Sequence, residues 1–110
     1  MGGVTTTSDQ NTKTNIVNSP LGLDFIDSLR PVSYKLVDTP EQTFTRPHYG
    51  LIAQEVKAVL DSMGVDFAGY VDPTVNGGAG YVGLRYHEFI APIIKAIQEL
   101  KNRVEALEAL

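Results

Sequence analysis

The chain has 110 residues, 43% hydrophobic and 20% charged, the make-up of one globular domain whose modest core is marginal without help. A formal net charge of -4 excludes a nucleic-acid surface, because no basic cluster exists to release counterions from phosphates. With no cysteine and only two histidines, unaccompanied by clustered carboxylates, neither a disulfide nor a metal nor a cofactor is expected. No apolar run approaches a bilayer span, and Met1 to Val4 has neither the charged nor the apolar region of a signal peptide. The chain reads as a soluble fragment of something larger, with no membrane partner.

Residues 1–19 are polar, with Val4, Ile16 and Val17 as the apolar exceptions, and read as an extended connector. Within it Ser8 and Lys13 are a nucleophile and a base in one short stretch. A serine hydroxyl needs a base before it attacks a carbonyl, and a lysine serves when burial favours its neutral form. Five residues of separation lets the two side chains meet across a turn. Spacing alone does not distinguish such a pair from ordinary solvated residues.

Ser19 and Pro20 have the form of an N-cap and first helical residue, opening a short helix that Pro31 ends. Leu21, Phe25, Ile26 and Leu29 would face the core, with Asp24 and Asp27 on the polar side. Val32 to Val37 alternates and is rich in β-formers, predicting a strand; Asp38 to Pro47 is a loop; His48 to Ile52 is a second strand, antiparallel to the first. His48, alone and beside Gly50, reads first as a hydrogen-bonded structural residue, and His87 likewise. From about Ala53 the period becomes helical, with Val56, Val59, Leu60 and Met63 in one stripe, Glu55 at the favourable dipole end and Gly64 as the stop. Residues 65–83 are glycine-rich. Asn76-Gly77-Gly78 is a turn signal, and Tyr70 to Asp72 and Tyr81-Val82 are expected as arms of a long hairpin. The run from Asn76 to Gly80 is not a phosphate loop, since no Gly-Lys-Ser/Thr and no helix follow it.

Tyr86 to Leu110 carries the most regular pattern. Ile90, Ile97 and Val104 alternate with Ile93, Leu100 and Leu107 at spacings of three and four, the a and d positions of a heptad seam. In this register Arg103 is a g residue and Glu108 an e residue, so they can pair between parallel neighbours. The alternative is a single amphipathic helix lying on its own domain, though such a helix usually shows a wider apolar face. β-Branched residues at a with Leu at d favour dimers, and Ile at both favours trimers. Arg103-Val104-Glu105-Ala106-Leu107-Glu108 resembles a pattern of three-stranded parallel coiled coils, which points to a trimer. Pro92 places the start of the helix either near Ala91 or at a bent first turn from Tyr86.

Together, these segments resemble the C-terminal intramolecular chaperone domain of phage tailspikes, tail fibres and neck appendages, the peptidase S74 family. The resemblance runs through Ser8-Asp9, Lys13, Asn15-Ile16, Leu29-Arg30-Pro31-Val32-Ser33-Tyr34 and His48-Tyr49-Gly50-Leu51-Ile52-Ala53-Gln54-Glu55-Val56. It ends in the block from Tyr86 to Leu100. It implies an α+β fold, with a small antiparallel sheet, short helices and a long C-terminal helix forming a parallel trimeric helical bundle. Residues 1–7 would end the preceding stalk and 8–110 would form the chaperone, with 8–19 as connector and 86–110 as trimerisation helix. The partners would be two further copies and the β-helical stalk of the same chain. The setting would be the host cytoplasm during virion assembly, with the domain released from the mature fibre.

The resemblance further implies Ser8 as nucleophile, Lys13 as general base, and His48 with Gly50 in support. Gln10-Asn11-Thr12 depart from the basic and Leu residues the family often has between Ser and Lys. Attack by Ser8 on the carbonyl of Thr7 closes a five-membered ring, whereas attack on its own carbonyl would close a strained four-membered one. Thr7-Ser8 is therefore the expected cut within one chain. The rivals are a trimerisation cap that never cleaves and a dimeric adaptor using the terminal helix.

Overall fold

The computed structural model describes residues 3–110; residues 1 and 2 of the expected stalk end lie outside them. The order of elements is α1 (Leu23–Asp27), β1 (Val32–Tyr34), β2 (His48–Gly50), α2 (Ala53–Met63), β3 (Tyr70–Val71), β4 (Gly83–Leu84) and α3 (Ile90–Glu108), with 3-10 turns at Gln10–Thr12 and Tyr86–Phe89. The fold is α+β, with two small antiparallel sheets where one was expected. In the first, Val32 faces Gly50, Ser33 faces Tyr49 and Tyr34 faces His48. In the second, Tyr70 faces Leu84 and Val71 faces Gly83, so the returning arm lies two residues beyond the Tyr81-Val82 expected for it.

Other boundaries also differ from the expectation. Helix α1 starts at Leu23 after Gly22, and Ser19 caps no helix. Its hydroxyl accepts from the Leu21 amide and donates to the Leu21 carbonyl, closing a turn of its own. In the first sheet the strands are shorter than the β-rich runs that predicted them. Val32 pairs with Gly50 and Tyr34 with His48, so the next positions out reach Pro31 at one end and Pro47 at the other, neither of which has an amide to donate. Helix α2 matches its expected span, and Gly64 adopts φ 69°, a left-handed cap that favours glycine. At the last helix the chain makes a tight 3-10 turn over Tyr86–Phe89 and becomes α-helical at Ile90. Pro92 thus falls in the first turn, where an amide has no intrahelical acceptor to lose. None of the helices is long and apolar enough to cross a membrane, among the described residues.

The core is small. Leu21, Phe25, Val56, Leu60 and Phe89 are buried together, with Phe67 half-covered beside them. Phe25 stacks on Phe89 at 6.0 Å, and Phe67 meets both edge-on, at 5.7 Å from Phe25 and 5.1 Å from Phe89. The chain exposes 8981 Å², where a compact monomer of its mass exposes about 6,000 Å². Exposed residues are concentrated in the N-terminal arm, the loops at 35–47 and 74–81, and the open faces of α3.

Helix α3 has two distinct faces. Pro92 and Ala96 are buried against the domain, Glu99 accepts from the Leu23 amide at 3.1 Å, and Arg103 reaches Asp24 at 3.8 Å. These residues follow one another at intervals of four, three and four, a stripe at c and g. The a and d residues lie on another face and stay open, from 42% exposed at Ile93 to 68% at Leu107. The helix is therefore partly the domain-bound helix of the alternative reading, attached by a face that the seam does not use.

Candidate functional site

The N-terminal arm is exposed from Gly3 to Asn18, yet it holds one ordered device. Asp9 Oδ1 accepts from the Asn11 amide at 2.8 Å, and the Asp9 carbonyl accepts from the Thr12 amide at 3.0 Å and the Thr12 hydroxyl at 2.7 Å. Asp is suited to this because its short carboxylate reaches an amide two residues on. Across the resulting 3-10 turn Lys13 Nζ donates to Ser8 Oγ at 2.7 Å. The expected nucleophile and base are in contact. General-base work by a lysine requires the neutral amine, which burial favours, and both side chains are exposed within one chain.

The supporting residues lie elsewhere. His48 and Gly50 are on β2, where the His48 ring stacks on Tyr34 at 5.6 Å and an interplanar angle of 22°. Among the described residues no hydrogen bond joins either to Ser8 or Lys13. Gly50 has a structural reason to be glycine: a Cβ there would lie 2.6 Å from the Tyr86 hydroxyl, which accepts from the Leu51 amide at 3.0 Å. His87 lies 3.5 Å from Glu88 on the surface. No group of three or more His, Cys, Asp or Glu side chains is placed to hold a metal, among the described residues.

Three contacts were not foreseen from the sequence. Both oxygens of Glu55 accept from Arg30, at 3.0 Å from Nε and 2.6 Å from Nη2, so the Glu55 side chain joins the start of α2 to the segment before β1. That hydrogen bonding holds the Glu55 carboxyl below its ordinary range and raises the Arg30 guanidinium. The Asp9 turn was within reach, since Asp followed by polar residues is a turn signal. The Tyr86-Gly50 approach joins residues 36 positions apart and leaves no local mark.

A serine-lysine contact on an exposed arm and a row of open apolar residues on the last helix are thus carried by a small α+β domain. The family model described as chaperone of endosialidase, peptidase S74, matches residues 8–65, more than half of the chain, and the chain belongs to that family. The family includes self-cleaving intramolecular chaperones. The matched residues contain Ser8, Lys13, His48 and Gly50, and end before the β3-β4 hairpin and α3. No curated protein matches the chain.

Proposed function

We propose that the chain is a homotrimeric intramolecular chaperone that aligns and promotes folding of a β-helical phage fibre or spike preceding it. It then releases itself by Ser8/Lys13 autoproteolysis at Thr7-Ser8. The observation that carries this reading is the row of six open apolar residues at a and d on α3, on a helix already attached to its domain by another face. Leaving that much apolar surface in water is unfavourable by roughly 25 cal/mol per Å², and a parallel bundle of copies removes it. Arg103 and Glu108 would flank the seam, with Arg103 exchanging its weak surface contact to Asp24 for the neighbour's Glu108.

The gain for folding is entropic. A trimeric β-structure must bring separate chain ends together, and tethering them raises their effective concentration to about the millimolar range. In the reaction, Lys13 takes the Ser8 proton and Ser8 Oγ attacks the Thr7 carbonyl. The peptide nitrogen of Ser8 leaves with a proton, and water then hydrolyses the ester. The finished stalk or neighbouring copies would cover Lys13, making cleavage conditional on assembly. The fibre, without its chaperone, would be kinetically trapped. The setting would be the host cytoplasm during virion assembly.

Fusing the native stalk to this domain tests the reading. Wild type is expected to shed a fragment of about this domain's mass, 12.0 kDa, and to sediment as a trimer, while Ser8→Ala stays whole. A fragment from both would overturn the serine mechanism. An intact wild-type trimer would leave the non-cleaving cap, and a monomer would remove the chaperone mechanism altogether.

A further inference from the structure

An open apolar cleft of about 710 Å³ lies between α1, the first sheet and the start of α3, lined by Ile26, Leu29, Tyr49, Leu51, Phe89 and Ile93 among others. One of these residues, Ile93, is a d residue of the seam, so the cleft is continuous with the row of residues assigned above to association. Beside the seam, Ile94 is half-exposed, an isoleucine at an e position where a helix facing water ordinarily carries a polar side chain. Within its own chain it lines a surface hollow together with Asn18, Ser19, Ala91, Lys95 and Gln98.

The register assigns a partner to both features. In a parallel bundle a g residue faces the e residue five positions further along its neighbour, the offset that sets Arg103 opposite Glu108. Phe89 occupies the g position before Ile90, and five residues on is Ile94. Phe89 is a core residue, 4% exposed, and is among the residues that line the cleft. We propose that the cleft is a docking site for a second copy of this chain, in which the neighbour's Ile94 seats beside Phe89.

The proposal rests on the parallel-bundle reading and deepens it. Each helix would be held to its neighbour by the seam and also by a side chain lodged in the neighbour's globular part. The domains, and with them β2 carrying His48 and Gly50, would then be fixed around the bundle axis rather than hanging from it. Ile94 is the e residue suited to this, because Lys101 and Glu108, the later e residues, are charged.

The test uses trimers mixed from isotope-labelled and unlabelled copies of the chain, with intermolecular nuclear Overhauser contacts read from the Ile94 methyl groups. Contacts to the Phe89 ring and the Ile26 methyls of another copy are expected. As a second measurement, Ile94→Asp should raise the concentration at half-assembly by at least about tenfold, with the circular dichroism of the single chain unchanged. A trimer by sedimentation in which Ile94 touches only its own Asn18 and Ser19, or the neighbour's seam alone, overturns the docking site and leaves the bundle standing. A monomer overturns both.

Discussion

The Tyr86 hydroxyl stands where a side chain on residue 50 would begin. It lies 2.6 Å from the position of a Gly50 Cβ and accepts from the Leu51 amide at 3.0 Å. By this contact the turn leading into the last helix grips the end of the strand that carries His48. Gly50→Ala is therefore expected to destabilise the domain by about 1–3 kcal/mol, the usual cost of overpacking. Tyr86→Phe, which strips the Leu51 amide of its acceptor, should cost about 1 kcal/mol. The two are in contact, so their effects should not add. Gly50→Ala should cost less in the Tyr86→Phe background, by about 1 kcal/mol of coupling, in denaturant melts at one fixed chain concentration. Full additivity would show that the approach does not matter to either residue.

The attachment of α3 to α1 makes a second prediction. Glu99 Oε1 accepts from the Leu23 amide, and a Cβ on Gly22 would collide with that same oxygen. Glu99→Ala should cost about 1 kcal/mol and speed hydrogen exchange at the Leu23 amide, with little change on α2. Glu99→Gln keeps a neutral oxygen in place and should fall between the two. Exchange at Leu23 that ignores both substitutions would place the helix contact elsewhere.

How far the sequence reached follows from the range of the interactions. Helix α2 was legible, with its start near Ala53 and its stop at Gly64, because its apolar stripe and its glycine stop are local signals. The antiparallel pairing of β1 with β2 was legible because the two β-rich runs are close neighbours in the chain. The family resemblance singles out Ser8 and Lys13; their spacing does not separate them from ordinary solvated residues, and the contact itself depends on the Asp9 turn. The start of α1 was misplaced: Ser19-Pro20 has the form of a helix start, but the distant Glu99 takes up the amide of Leu23 instead. The second face of α3 was hidden for the same reason. Pro92, Ala96, Glu99 and Arg103 make no apolar pattern of their own, and what buries the first two is a domain folded from earlier sequence.

The Arg30-Glu55 pair makes stability depend on acid. Glu55 is held below its ordinary carboxyl range by the Arg30 hydrogen bonds, so the folded chain gives up that charge less readily than the unfolded chain does. Whatever stability the pair contributes is present above the unfolded value of about 4.3 and is lost as the pH falls through the lower folded value. The melting temperature of wild type should therefore drop more steeply below about pH 4 than that of Glu55→Gln. Near pH 7 the variant should be the less stable of the two. The pair is exposed, so the difference is expected to be small and to shrink with salt. Parallel curves for the two proteins would remove Glu55 from the acid response.

The arm that carries Ser8 separates positioning from stability, because nothing in its turn is buried. Asp9→Ala removes the side-chain cap of the turn, a loss of about 0.5–2 kcal/mol to that turn alone, and frees Lys13 to leave Ser8. The global melting temperature should not move, since the turn residues are exposed and none is part of the core. Cleavage of a stalk fusion should slow several-fold or more, as a misplaced base lowers rate without altering the nucleophile. Asp9→Asn, which keeps an oxygen able to accept from the Asn11 amide, should restore most of the rate. Lys13→Arg should abolish it, because a guanidinium reaches the hydroxyl but does not give up its proton. A fast Lys13→Arg fusion would show that Lys13 holds Ser8 without acting as its base, and the proton would then have to go to another group.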